Sequence, residues 1–381
     1  MVLNDLINKE FRLKPDVLYL NHAAVAPWPA RTCDAVCAFA EENLTQGSQD
    51  YPRWLATERF LRSQLAELIN APAPEDIALL KNTSEALSVV AHGLDWHAGD
   101  NVVTSDQEFP CNRIVWQSLE ADGVEVRQVD LRAGESPEAA LLAACDERTR
   151  VLAISSVEYA SGLRVDLNVL GASCRERDIL FCVDAIQSVG AVEVDVQAAQ
   201  VDFLMADGHK WMLGPEGLAL FYCRPALRER LRLRQFGWHM VEHAEDFDRR
   251  DWAPAPDARR FECGSPNMLC IHALGASVSL LREVGMDRVE DEVLARSRRV
   301  MEAVEANPSL ELTGDTRPGR FAGIVTFRHR KVDSDVLYRT LMAQGVMCAR
   351  RGGGVRFSAH FYTPFEVIDR AIELAERGGG G

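Results

Sequence analysis

Short apolar runs recur through the middle of the chain, at 101–104, 151–155, 179–183, 201–206 and 217–222, with helical patterns between them. They are nearly continuous in apolar character rather than alternating. A strand of that kind has no face to show to water, so it needs cover above and below. Strands separated by helix-length segments pair most simply in parallel, because each helix carries the chain back across the sheet. This predicts an α/β protein with a largely parallel sheet covered on both faces. At 381 residues the chain is too long for one simple core, and two domains are expected. Other segments fill in the frame: a short strand at 18–20, helices at 30–43 and 57–70, a strand at 77–80, and long helices at 267–284 and 289–305. The stretch 240–262 is polar and punctuated by proline, as a surface loop near a site would be. Gly323–Phe327, a helix after Asp333, and Val355–Ser358 suggest a smaller α+β unit, and Gly378–Gly381 reads as a disordered tail.

A formal net charge of −15 argues against a nucleic-acid groove or an anionic membrane surface as the main partner. The ten cysteines follow no framework spacing and form no Cys-x-x-Cys pair, so neither a disulfide scaffold nor a structural metal site is expected. The first ten residues lack a basic segment leading into an apolar one, and no run is long enough to span a bilayer. The expectation is a soluble cytoplasmic protein.

Ligands of such sheets sit at the carboxyl ends of the strands. Glu108, Asp184 and Lys210 all fall just past strand ends and are therefore expected to converge. Lys210 follows the apolar run 201–206 through Asp207-Gly-His. A lysine in that position is poorly hydrated, and its amine leans toward the neutral form that condenses with an aldehyde. Asp184 ends the run Phe181-Cys-Val-Asp. Together they suggest the two anchors of pyridoxal 5′-phosphate (PLP): a Schiff-base lysine and a carboxylate for the ring nitrogen. There is no Gly-x-Gly-x-x-Gly after the first strand and no phosphate-loop motif, which disfavours a dinucleotide enzyme.

Asp184-Ala-Ile-Gln187, Gly208-His-Lys210, Gly214-Pro-Glu-Gly217 and Phe261-Glu-Cys-Gly-Ser-Pro-Asn267 occur in order and at sensible separations. With Tyr19–Ala24 and Arg356-Phe-Ser358 they resemble the class V aminotransferases, a family that includes cysteine desulfurases, selenocysteine lyases, cystine lyases and isopenicillin N epimerase-like proteins. The resemblance implies an aspartate-aminotransferase-like fold (PLP fold type I), with a large domain built on a mainly parallel, seven-stranded type of sheet and a smaller C-terminal α+β domain. It divides the chain into an N-terminal segment packing on the small domain (1–20), a large PLP-binding domain (21–262) and a small domain (263–381). It implies a homodimer with active sites at the subunit interface. Lys210 is then the Schiff-base residue and general base, and Asp184 the partner of the ring nitrogen. Ala185 packs on the ring, and Gln187 bonds the phenolic oxygen. Thr83, Ser84 and His209 hold the phosphate, with Ser265 reaching it from the neighbouring subunit. Arg356 grips the substrate carboxylate, and Asn21 and His22 line the substrate side.

Three departures from the family pattern matter. Phe109 stands where desulfurases and cystine lyases usually present a histidine; it can stack on the ring but moves no proton. Asp207 replaces a common serine beside the phosphate, either pointing away or bonding His209. Persulfide-forming relatives carry a loop with a nucleophilic cysteine before the carboxylate arginine, whereas this chain has only Cys348-Ala-Arg-Arg-Gly-Gly-Gly-Val355. The expected reaction is a β-elimination on a sulfur-containing amino acid without persulfide transfer. Transamination and epimerisation need the same anchors and remain alternatives, as does a catalytically idle PLP-binding protein.

Overall fold

The computed structural model describes residues 3–378. Seven strands form the large sheet: β1 (Ile77–Leu80), β2 (Asn101–Ser105), β3 (Glu125–Val129), β4 (Thr149–Ser155), β5 (Leu180–Asp184), β6 (Phe203–Asp207) and β7 (Ala219–Cys223). Their order across the sheet is β1-β7-β6-β5-β4-β2-β3, and only β7 runs against the others. The apolar strands are explained by where their alternate residues go. Phe181, Val183, Leu204, Ala206, Leu220 and Tyr222 join one core cluster, while Leu180, Cys182, Phe203, Met205, Phe221 and Cys223 join another on the opposite face. Each strand is thus buried twice over.

A second sheet is antiparallel, with strands β8 (Leu310–Leu312), β9 (Ile324–His329), β10 (Ala349–Arg351) and β11 (Gly354–Ser358) in the order β10-β11-β9-β8. It shares a core with helices Met286–Glu305, Ser334–Ala343 and Phe365–Glu376. Leu18–Tyr19 pairs in parallel with Val346–Met347, which lies in the second unit. Helix Met268–Val284 packs against helices Ala30–Gln46 and Tyr51–Leu68, and its Ile271, Leu274 and Val278 belong to the large-sheet core. The expected second domain begins at 263; this helix, however, packs on the large-sheet core, and its Leu280 and Leu281 share a cluster with Val289 and Val293 of Met286–Glu305.

The helix expected from Thr57 begins at Tyr51, with Pro52 in its first turn, where a missing N–H costs nothing. Strand β3 was not anticipated: it is the sheet's edge, and its Glu125 and Gln128 are exposed. Of the expected glycine tail, Gly378 is buried and its N–H donates to the Ala375 carbonyl; residues 379–381 lie outside the described residues. Among the described residues no single helix is long and apolar enough to cross a membrane.

Gly171 lies inside helix Leu167–Glu176, where alanine would ordinarily favour the helix. Here a methyl group would run into the Ala199 carbonyl oxygen. Gly171→Ala should therefore destabilise the protein, by about 1–3 kcal/mol as overpacked cores do, rather than stabilise it. A higher unfolding midpoint in urea for the variant would contradict this close approach.

Candidate active site

Parallel pairing brings the ends of β4, β5 and β6 to one edge of the large sheet, and Asp184 lies beside Ser155 in register. Asp184 is 2% exposed. Its Oδ1 accepts from the Ile186 N–H at 3.0 Å and its Oδ2 from Asn112 Nδ2 at 2.9 Å. Burial raises its pKa to about 6 against those hydrogen bonds and the pull of Lys210. Lys210 is three residues past β6, its Nζ 5.7 Å from the centre of the Phe109 ring. Burial lowers its pKa to about 8; Asp184 opposes that shift and Arg356 adds to it. Phe109 in turn meets Tyr159 edge-on, with ring centres 5.2 Å apart.

Arg356 lies on β11, yet it acts electrostatically on Lys210. It is 2% exposed, and its Nη1 donates to the Tyr159 carbonyl at 2.6 Å. Its Nε has no partner, and among the described residues no carboxylate pairs with it. Burial and the neighbouring Arg351 push its pKa down to about 10. A buried guanidinium without an acid is costly unless an anion arrives.

The remaining predicted residues fall in three groups. Thr83 and Ser84 open helix Thr83–Gly93, with Asn82 Oδ1 accepting from the Glu85 N–H at 2.9 Å. Glu85 reaches back to the N–H of Lys81 rather than that of Asn82. Thr83 Oγ1 is buried and unpartnered, and Ser84 is exposed. Ala185 is fully buried, and Gln187 bonds at both ends of its amide, donating to the Ala23 carbonyl at 3.1 Å and accepting from Trp211 Nε1 at 2.9 Å. His209 Nδ1 is 3.1 Å from Asp207 Oδ1, so the unusual aspartate faces the imidazole.

His22 requires a correction. It is fully buried, its Nδ1 bonded to the Ser358 carbonyl at 2.8 Å and its Nε2 to the Tyr362 hydroxyl at 2.7 Å. Both ring nitrogens are spent on fastening the N-terminal segment to β11, and burial lowers its pKa to about 4. It is a structural residue, not one free for substrate. Asn21 forms a bridge with Ser358 and keeps a buried, unpartnered Oδ1. Ser265 is exposed and has no hydrogen bond to the lysine cluster.

A family model for class V aminotransferases matches residues 18–370. The chain belongs to the class V aminotransferase family. A probable cysteine desulfurase of Methanothermobacter thermautotrophicus is 30% identical over 98% of both chains. A cysteine desulfurase of Salmonella newport is 32% identical over 93% of this chain and 91% of its own. In fold, the chain is similar to the apo structure of a cysteine desulfurase from Thermococcus onnurineus NA1, with TM-score 0.87 and 23% identity over 99% and 98% of the two chains.

Class V enzymes depend on PLP, and this chain is a PLP-dependent enzyme of fold type I. The residues present fit the cofactor. A lysine with a depressed pKa, a buried carboxylate, and an unpartnered threonine hydroxyl opening a helix are the donors and charges its aldehyde, ring nitrogen and phosphate require. Sequence reasoning missed Asn112, Ser155 and Tyr159, none of which carries a charge or sits in a recognised motif. Trp238 and His239 line a groove of about 1390 Å³ with Tyr51 and Phe247. There His239, Glu58 and Glu262 lie close together, but Arg62 already bridges both carboxylates, 2.5 Å from each. A metal ion would have to displace it.

Because only the neutral amine condenses with an aldehyde, capture of PLP by the apoprotein should speed up as pH rises and level off above about 8. Stopped-flow absorbance at a series of pH values measures this. A midpoint near the ordinary lysine value would mean that Lys210 is solvated.

Proposed function

We propose that this enzyme eliminates sulfur from Cβ of a sulfur-containing amino acid without passing it to a protein cysteine. The observation that carries the reading is the turn between β10 and β11. Arg351 pairs with Gly354, leaving only Gly352 and Gly353 as the connection, both with positive φ. Such a two-residue hairpin holds no loop that could swing a thiol toward Lys210. Cys348, just before β10, is 2% exposed in the second core, and burial pushes its thiol up to about 12. A thiol that stays protonated is a poor sulfur acceptor. The relatives named cysteine desulfurase support a cysteine-like substrate.

When bound, PLP supplies an electron sink that makes the substrate's Cα–H bond acidic. Lys210 would hold the cofactor's aldehyde carbon, and its side-chain amine would serve as the base for the substrate's Cα proton. Loss of the Cβ–S bond would release sulfur as a thiol or thiolate, and hydrolysis would give pyruvate and ammonium. Asp184 keeps the ring nitrogen protonated, Ala185 allows close approach to the ring, and Gln187 donates to the phenolic oxygen. Thr83, Ser84 and His209 hold the phosphate, with Asp207 orienting the imidazole. Ser265 completes that site from the second subunit of a homodimer, which fits its exposure in a single chain. Phe109 covers the open ring face. Arg356, with Asn21 nearby, orients the substrate through its carboxylate. We place the enzyme in the cytoplasm, where all ten cysteines would stay the free thiols they are here.

The test incubates the holoenzyme with cystine, cysteine sulfoxides, cysteine and ordinary amino acids. Pyruvate with released thiol is expected, and Cys348→Ala should retain turnover within about twofold, as an inert buried thiol would. Alanine as the product, with turnover lost in Cys348→Ala, means persulfide transfer; a pyridoxamine spectrum or inverted Cα means transamination or epimerisation. Arg356→Ala should raise KM for the amino acid by about 10- to 100-fold, the loss of hydrogen bonding to a charged group. An unchanged KM in steady-state kinetics would remove Arg356 from the substrate site.

A further inference from the structure

Asp184 shares its hydrogen-bond donor. Asn112 Nδ2 donates at 2.9 Å to Asp184 Oδ2 and at 2.9 Å to Glu108 Oε2. A primary amide nitrogen carries two hydrogens; Ser155 Oγ is only a longer contact at 3.4 Å, so one hydrogen serves each carboxyl group and neither is spare. Glu108 is fixed from its other side, with Oε1 accepting from the Ser155 N–H and Oε2 from the Ser155 hydroxyl, each at 2.6 Å. Glu108, Asn112, Ser155 and Asp184 are all buried. Glu108 and Asn112 lie on the segment after β2 and its following helix, Pro110–Gln117, while Ser155 and Asp184 end neighbouring strands. The contact therefore ties three segments together at the ring-nitrogen position.

We propose that Asn112 is a positioning residue for the cofactor's ring nitrogen, dividing its two N–H groups between Glu108 and Asp184 so that Asp184 stays in place as the lone anion. This rests on the reading of Asp184 given above. Two ionised carboxylates on one buried donor would repel each other. Burial pushes the Glu108 carboxyl up and the neighbouring Asp184 adds to that, whereas Lys210 and the Ile186 N–H pull Asp184 back toward its charged form, so Glu108 is the member of the pair driven toward neutrality. The Ser155 hydroxyl can turn to accept a hydrogen bond from the neutral carboxyl. Glu158, Asp106, Cys111, Asp207 and Lys210 are the other ionisable groups acting here. Glu158, fully buried and near Glu108, is also driven toward its neutral form. Losing Asn112 strips Asp184 Oδ2 of its donor, favours protonation of Asp184, and weakens its hold on a protonated ring.

The test loads the holoenzyme with PLP isotopically labelled at the ring nitrogen and reads the nitrogen's chemical shift, together with PLP release after dilution. The wild type should show a protonated ring nitrogen. Asn112→Ala should move the shift toward the unprotonated form and speed PLP release by about 10- to 100-fold, as losing a hydrogen bond to a charged group does. Asn112→Ser, which keeps one donor, should recover part of both, and it carries the test if the alanine variant does not fold. Glu108→Gln, neutral at all pH values, should leave the nitrogen protonated. Asn112 variants with wild-type shift and release rate overturn the proposal, as does a deprotonated ring in Glu108→Gln. A ring nitrogen that stays protonated in Asp184→Asn overturns the reading of Asp184 instead.

Discussion

The structure depends on removing an amine, a carboxylate and a guanidinium from water at one edge of a sheet. Burial lowers Lys210, raises Asp184 and lowers Arg356, each shift favouring the neutral form. Lys210 and Asp184 relieve one another in part, but Arg356 has no acid at hand, and Lys210 feels it as a further repulsion. A site with that balance favours anionic groups, which on the proposed function are the cofactor's phosphate and the substrate's carboxylate. The double burial of β4, β5 and β6 makes it possible, because strands with water on one face could not desolvate the groups at their ends so fully.

That same double burial explains what the sequence made legible. Strands β4 to β7 announce themselves as apolar runs, and Lys210 and Asp184 are conspicuous as charges placed where those runs stop. The convergence of Glu108, Asp184 and Lys210 followed from parallel pairing alone. Edge strand β3 gave no such signal, since Glu125-Val-Arg-Gln-Val129 is only partly covered on either face and reads as ordinary polar surface. Asn112 was invisible for a different reason. Its importance lies in two hydrogen bonds to residues 4 and 72 positions away, a relation no local pattern encodes. His22 shows the opposite error: a histidine beside a site suggests chemistry, but Ser358 and Tyr362, over 300 residues distant, had already claimed both nitrogens.

Asp207 shows how a departure from a family pattern acquires physical sense. An anion beside a phosphate is unfavourable on its own, but this one faces His209 Nδ1 at 3.1 Å. The contact is a close approach between a carboxylate and a ring nitrogen, so the aspartate points at the imidazole instead of away from it.

The tight turn at Gly352-Gly353 bears on the reaction in the same physical way. Relatives that transfer sulfur to themselves need a thiol that is mobile, accessible and readily ionised. Cys348 is in the core formed by Leu20, Val346 and Phe357, and the hairpin after it closes in the fewest residues its strands allow. Restoring a transfer loop would mean opening this hairpin, and the hairpin also holds β11, the strand that carries Arg356 and to which His22 fastens the N-terminal segment. The turn after Cys348 and the strand that carries Arg356 are thus mechanically coupled. On the function proposed above, that rigidity favours chemistry completed on the substrate over chemistry relayed through the protein.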